Sequence, residues 1–92
     1  MLWHVLRFDM VDAPLSDREE LTSALQQLSG VPQVEEIHVG AACNAPDVIG
    51  MVMRLSSSDD LAAYHAHPIH KRTHAVIQRL GLKAVVLDLP SE

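Results

Sequence analysis

Val48-Ile49-Gly50-Met51-Val52-Met53-Arg54-Leu55 is apolar on both sides of a period-two pattern, with Ile49, Met51, Met53 and Leu55 against Val48, Gly50 and Val52. Side chains on a strand point alternately to opposite faces, so this stretch predicts a strand that needs cover on both. Upstream, a loop over Ala41-Ala42-Cys43-Asn44-Ala45-Pro46-Asp47 is expected to separate it from a strand over Val34 to Gly40, with Ile37 and Val39 on one face and Glu36 and His38 on the other. The chain opens on another alternating run, Leu2 to Met10. Leu2, His4, Leu6, Phe8 and Met10 share one face, and Trp3, Val5, Arg7 and Asp9 the other. Between these two strands, Ser16-Asp17-Arg18-Glu19 has the form of a capping box after Pro14, and Leu21, Ala24, Leu25 and Leu28 follow at helical spacing. A helix over about residues 17–28 is predicted, closed by Gly30 in a left-handed conformation.

Downstream, Ser56-Ser57-Ser58-Asp59-Asp60 predicts a helix start, with hydroxyl caps followed by acids in the positive first turn. That helix, Asp60 to Ala66, meets Pro68, which has no amide to donate and forces a break. A second helical piece over about residues 68–80 carries Ile69, Thr73, Val76, Ile77 and Leu80, with Gly81 as its stop, and Ala84 to Leu89 is the last strand. The order β-α-β-β-α-β is the ferredoxin-like α+β arrangement, a four-stranded antiparallel sheet with its helices on one face, in one domain over residues 1–92. Helices on one side leave the apolar second face of strands one, three and four uncovered. A soluble monomer rarely exposes such a patch, so a second copy packed sheet to sheet, a homodimeric α/β barrel, is expected. The face bearing His4, Leu6 and Phe8 is assigned to the barrel interior, and Trp3 to the core against the helices.

Seven Lys and Arg against twelve Asp and Glu give a net charge of −5 with only three aromatic residues. Such a chain lacks the phosphate-neutralising field and the stacking surfaces that nucleic-acid binding needs. No apolar run reaches the ~18 residues of a membrane span. The single cysteine, Cys43, excludes an intrachain disulfide and a four-cysteine zinc site; its loop position, with no base near it in sequence, argues against a nucleophilic role. A cytoplasmic protein without membrane or nucleic-acid partners is the expectation.

Six histidines are the unusual feature, four of them (His65, His67, His70 and His74) within ten positions. Protonating all six would carry the formal charge from −5 to +1. His70 and His74 have the i, i+4 spacing at which two imidazoles can share a zinc ion, but no third ligand stands at ligand spacing, so no metal is expected. His65, Lys71, Arg72 and His74 make a basic face that reads most simply as solvated helix surface, and otherwise as a rim attracting a carboxylate or a thioester's phosphates. His67 has the place of a cap at the helical break.

The segment Ala62-Ala63-Tyr64-His65-Ala66-His67-Pro68-Ile69-His70, together with His4, Gly30-Val31-Pro32-Gln33-Val34, Val39-Gly40, Asp60-Leu61 and Asp88, resembles the stress-responsive dimeric α/β-barrel (Dabb) family over nearly the whole chain. Many members have no assigned activity, but a plant branch closes linear polyketides by aldol condensation without metal or organic cofactor. By that resemblance His70 is the catalytic base, Asp88 the acid that orients it, Tyr64 the carbonyl donor and His4 a second proton carrier. The chemistry is coherent, because removing a proton beside a carbonyl needs a base titrating near neutrality and a donor for the developing oxyanion. The apolar residues that shape the plant enzymes' pocket are not shared. The resemblance thus implies a cofactor-free cyclase acting on a small apolar carbonyl compound. The alternatives are a non-catalytic stress-responsive scaffold, in which His67 and His70 only shape the helical break, and a cofactor-independent quinol monooxygenase.

Overall fold

A computed structural model describes residues 1–91. The elements are β1 (Leu2–Asp9), α1 (Leu15–Gln26), β2 (Val34–Ala42), β3 (Ala45–Leu55), α2 (Asp60–Ala66), α3 (Pro68–Arg79) and β4 (Ala84–Pro90), with a 3-10 turn over Gln27–Gly30. Every strand pairs antiparallel in the order β2-β3-β1-β4, which is the ferredoxin-like α+β fold. The alternation in β1 settles which face the helices cover. Leu2, His4, Leu6 and Phe8 are buried beneath them, opposite Leu55, Met53, Met51 and Ile49 of β3. His4, Leu6 and Phe8 therefore face this chain's own helices and not a barrel interior. Trp3, expected in the core, lies half-buried on the open face between Arg54 and Leu89, because the even-numbered positions of β1 carry the larger continuous apolar set.

Local punctuation differs from the sequence reading at four points. Helix α1 begins at Leu15, because the Pro14 carbonyl already accepts from the Asp17 and Arg18 amides. Ser16 falls inside the first turn, and no side chain caps it. Gly30 does not adopt a left-handed conformation; only Gly81 does, at φ 70°. A Cβ on Gly30 would come within 2.9 Å of Ile69 Cδ1, so its lack of a side chain serves the close approach of α3. The expected loop over residues 41–47 is mostly strand: β2 and β3 run on to Ala42 and Ala45, leaving Cys43 and Asn44 as a tight turn. A register shift between Ala41 and Ala42 takes up Pro46, which cannot donate to the ladder. Finally, no serine hydroxyl caps α2; Ser56 Oγ donates to the Asp60 carboxylate over 2.5 Å.

The break at Pro68 is as expected. His67 is the N-cap of α3, its Nδ1 accepting from the Ile69 amide at 3.1 Å, with Pro68 in the first helical position, where a missing N–H costs nothing. Helix α3 packs on α1 and the 3-10 turn, and the buried Thr73 hydroxyl lies 3.1 Å from the carbonyl oxygens of both Ala24 and Ile69. The open face of the sheet divides in two. Along β2 it is polar, with Glu35 and Glu36 near Arg54 of β3 and Glu36 paired to His38, while β3 also presents Val52, 37% exposed. Along β1 and β4 it is apolar, and Val85, Leu87 and Leu89 stand 60%, 52% and 51% exposed.

Candidate functional site

Because α3 hangs from α1, the space between the α2–α3 pair and the β1–β4 end of the sheet is left unfilled. It is a cavity of about 570 Å³. Its floor is His4 and Leu6 of β1 with Ala84, Val86 and Asp88 of β4; its wall is Tyr64 and His65 of α2 with His70, Thr73, His74, Ile77 and Gln78 of α3. All four residues singled out from the sequence, His4, Tyr64, His70 and Asp88, line this one space.

Their pairing differs from the expected one. The resemblance implies that Asp88 orients His70, but the antiparallel register sets it directly across from His4 on the neighbouring strand. The His4 Nδ1–H donates to Asp88 Oδ1 over 2.5 Å. Since a carboxylate only accepts, this fixes the proton on Nδ1 and leaves Nε2 as the free ring nitrogen of neutral His4. The His4 side chain is buried, while that of Asp88 is 38% exposed, so the acid's other side meets solvent.

Tyr64, buried at the centre of the cluster, has its ring centroid 4.7 Å from that of His70 and 5.5 Å from that of His4, in edge-on contact with both. Burial, and after it the nearby Asp88 carboxylate, push the phenol well above the ordinary tyrosine range. The hydroxyl therefore stays protonated at neutral pH and remains a donor. His70 is half-buried. Its pKa is lowered, first by burial, then by the neighbouring His65 and His74 and least by His4, against a hydrogen bond to the His65 backbone that acts the other way. At neutral pH it is an unprotonated base.

Two further histidines belong to the same space. The His65 ring lies 5.1 Å from His70, and His74 stacks on His70 at 6.3 Å and 10°. The sequence carried the signal in the spacing of 70, 74, 77 and 78, which form one stripe of α3. The basic face read at residues 65–74 is split by the fold: His65 and His74 line the cavity, whereas Lys71 and Arg72 do not. Among the described residues, no group of three or more His, Cys, Asp and Glu side chains is arranged to hold a metal ion. No helix of the described residues is long and apolar enough to cross a membrane. His38 pairs with Glu36 on the open face, away from the cavity, and Cys43 is exposed at its hairpin turn.

A family model of the stress responsive A/B barrel domain matches residues 2–91. No curated protein matches the chain. Among solved structures it is similar to a dimeric ferredoxin-like protein of unknown function from Thermobifida fusca, at 24% identity over 98% of this chain and 90% of that one, with a TM-score of 0.78. A dimeric ferredoxin-like protein from a Jannaschia species matches at 18% identity over 98% of both chains, TM-score 0.79. SnoaB, a cofactor-independent oxygenase from Streptomyces nogalater, matches at 11% identity over 99% of this chain and 92% of that one, TM-score 0.76.

Proposed function

The chain belongs to the stress responsive A/B barrel domain family, and on that premise we propose that it binds a small apolar carbonyl compound and performs cofactor-free acid–base chemistry on it, of the kind that closes a linear polyketide by intramolecular aldol condensation. The observation that carries this reading is the convergence on one cavity of an unprotonated His70, a Tyr64 hydroxyl held as a donor, and a His4 ring oriented by Asp88. In the proposed step His70 takes a proton from the carbon between two carbonyls, and the Tyr64 hydroxyl donates a hydrogen bond to the enolate oxygen. The enolate carbon then bonds to a distant carbonyl carbon of the same molecule. The proton that His70 removed passes to Nε2 of His4, and the Asp88 carboxylate stabilises the imidazolium so formed. The alkoxide takes that proton from His4, which returns both histidines to their neutral forms, and loss of water follows.

The protein acts as a homodimer in this reading, since the apolar half of the open sheet face has no cover within the chain and the Thermobifida and Jannaschia neighbours are described as dimeric. A cytoplasmic location fits the exposed single Cys43, which a reducing compartment keeps as a thiol. SnoaB supports a second reading, cofactor-independent oxygenation.

One assay separates these. A linear poly-β-ketone N-acetylcysteamine thioester is incubated with the protein while phenolic absorbance and dissolved oxygen are recorded. Cyclisation without oxygen uptake is expected, and His70→Gln should abolish it in a protein that melts as the parent does; unchanged turnover in that variant removes the catalytic assignment. Oxygen uptake would favour the oxygenase. If no compound of a β-keto acid and quinol panel raises the melting temperature, where a ligand at about a hundredfold over its Kd adds about 2.7 kcal/mol, the scaffold alternative stands.

A further inference from the structure

Resting on that reading, we propose that His65 and His74 recognise a carboxylate at the cavity mouth, so that the natural ligand is an apolar carbonyl compound carrying one carboxylate group, held with its apolar body against Leu6, Leu28 and Ile77. The argument begins with an imbalance of charge. The titratable groups facing the cavity are His4 from β1, Asp88 from β4, Tyr64 and His65 from α2, and His70 and His74 from α3. The one carboxylate among them is taken by His4. His65, His70 and His74 therefore stand ring to ring, and among the described residues no acid lies within ion-pair distance of any of them, the histidine pairs being His4 with Asp88 and His38 with Glu36.

Imidazoles gathered in this way discourage one another's protonation, which shows at His70 as the lowering by His65 and His74. An anion brought by the ligand supplies the missing counter-charge and reverses that penalty. Placement divides the labour. His70 is the half-buried member and lies between the other two, whereas His65 and His74 are exposed at the mouth. The outer pair can hold a carboxylate while His70 keeps its lone pair for the substrate carbon. The charge class follows from what is absent from the lining: a phosphate or polyphosphate is usually met by Arg or Lys, and Lys71 and Arg72 do not line the cavity. An imidazole is cationic only when protonated, so a ring that binds a carboxylate binds it more tightly as pH falls.

The test compares para-butylbenzoate with its neutral counterpart para-butylacetophenone by calorimetric titration at about pH 6 and about pH 8. The ratio of benzoate to ketone affinity should rise about tenfold from the higher to the lower pH. Because the whole chain also becomes less negative on acidification, the doubly substituted His65→Gln, His74→Gln protein is the control. There the ratio should stay within about threefold across the same range, with ketone affinity unchanged. A ratio that does not change with pH in the parent, or changes as much in the double variant, overturns the proposal; ketone binding then leaves the acid–base reading standing. If neither compound binds at either pH, both proposals fall.

Discussion

The half of the sheet beneath α1 and the half beneath the α2–α3 pair are made of the same alternating strands, but the first is filled and the second holds a cavity. Under α1, the side chains of Leu21 and Leu25 meet the inward residues of β3, and Phe8, Met51, Met53 and Leu55 are essentially without exposure. Under α2 and α3, the inward positions of β4 are Ala84, Val86 and Asp88, and Val86 remains 50% exposed. The difference originates in what the helices rest on. Helix α1 sits on strands, whereas α3 is tied to α1 through Thr73 and to the 3-10 turn through the Gly30–Ile69 approach. A helix hung from its neighbour leaves room beneath it. In a chain this short the stability must then come from the filled half, and the other is left free to hold a ligand.

The largest expected effect tests that division directly. Phe8→Ala opens a void in the filled half and should cost about 3–5 kcal/mol in urea unfolding, with Phe8→Leu as the milder variant if too little folded protein remains. Ile77→Ala removes a side chain that already borders the cavity, and should cost no more than about 1.5 kcal/mol. Equal losses at the two positions would mean that the cavity is packed like the core, and the comparison would fail.

A smaller effect is expected where the two halves join. The Cβ of Gly30→Ala would press on the tip of Ile69, a flexible group able to shift in part, so about 1–2 kcal/mol is expected. Ile69→Val deletes the atom that is struck. In a double-mutant cycle it should return most of the loss, whereas simple additivity would show that the approach of α3 is set elsewhere. Smaller again is the cap of α3. His67→Ala should cost about 1 kcal/mol, and His67→Asn, which still presents an acceptor to the Ile69 amide, should cost less. Equal losses in the two variants would make the ring's packing, and not its nitrogen, the source.

In the filled half the sequence showed which residues are apolar stripes, because strand alternation and helical spacing both report burial: Leu21, Leu25 and Leu28 at helical spacing and Met51, Met53 and Leu55 in the later strand are what the pattern demands. It did not show which face of β1 the helices cover, because both faces are apolar, and Phe8 and Trp3 lie on the opposite sides from those expected. The turn signals were less legible. Ser16 and Gly30 match common cap patterns, but the Pro14 carbonyl, two residues earlier, already starts the helix, and the Ile69 side chain that decides Gly30 lies in a distant helix outside the local window that such patterns consult. At the candidate site the residue types were readable, and their partners were not. Asp88 stands beside His4 through a strand register spanning 84 positions of sequence, and the hollow that admits His65 and His74 depends on how α3 is suspended. Spacing along one helix could show that His70 and His74 share a face, but not that the face looks into empty space.

The smallest expected effect probes the polarity of the hollow half through proton linkage. An imidazole whose pKa is lower in the folded chain than its ordinary value near ~6.5 binds fewer protons folded than unfolded at mildly acidic pH. Stability therefore rises with pH across that range. The His70 contribution is intact above about pH 7 and is lost progressively as the pH falls through ~6.5 toward the lowered folded value, where the unfolded chain takes up the proton first. Because His70 is only half-buried, solvent screens much of this, and only a slight shift is expected. The urea midpoint of the parent should drop more between about pH 7.5 and about pH 5 than that of His70→Asn, which cannot take up a proton there. Equal drops in the two proteins would mean that the cavity wall does not disfavour the cation at residue 70. The imidazoles of the hollow half would then differ little from those on any wetted helix, and the contrast between the two halves would be one of packing alone.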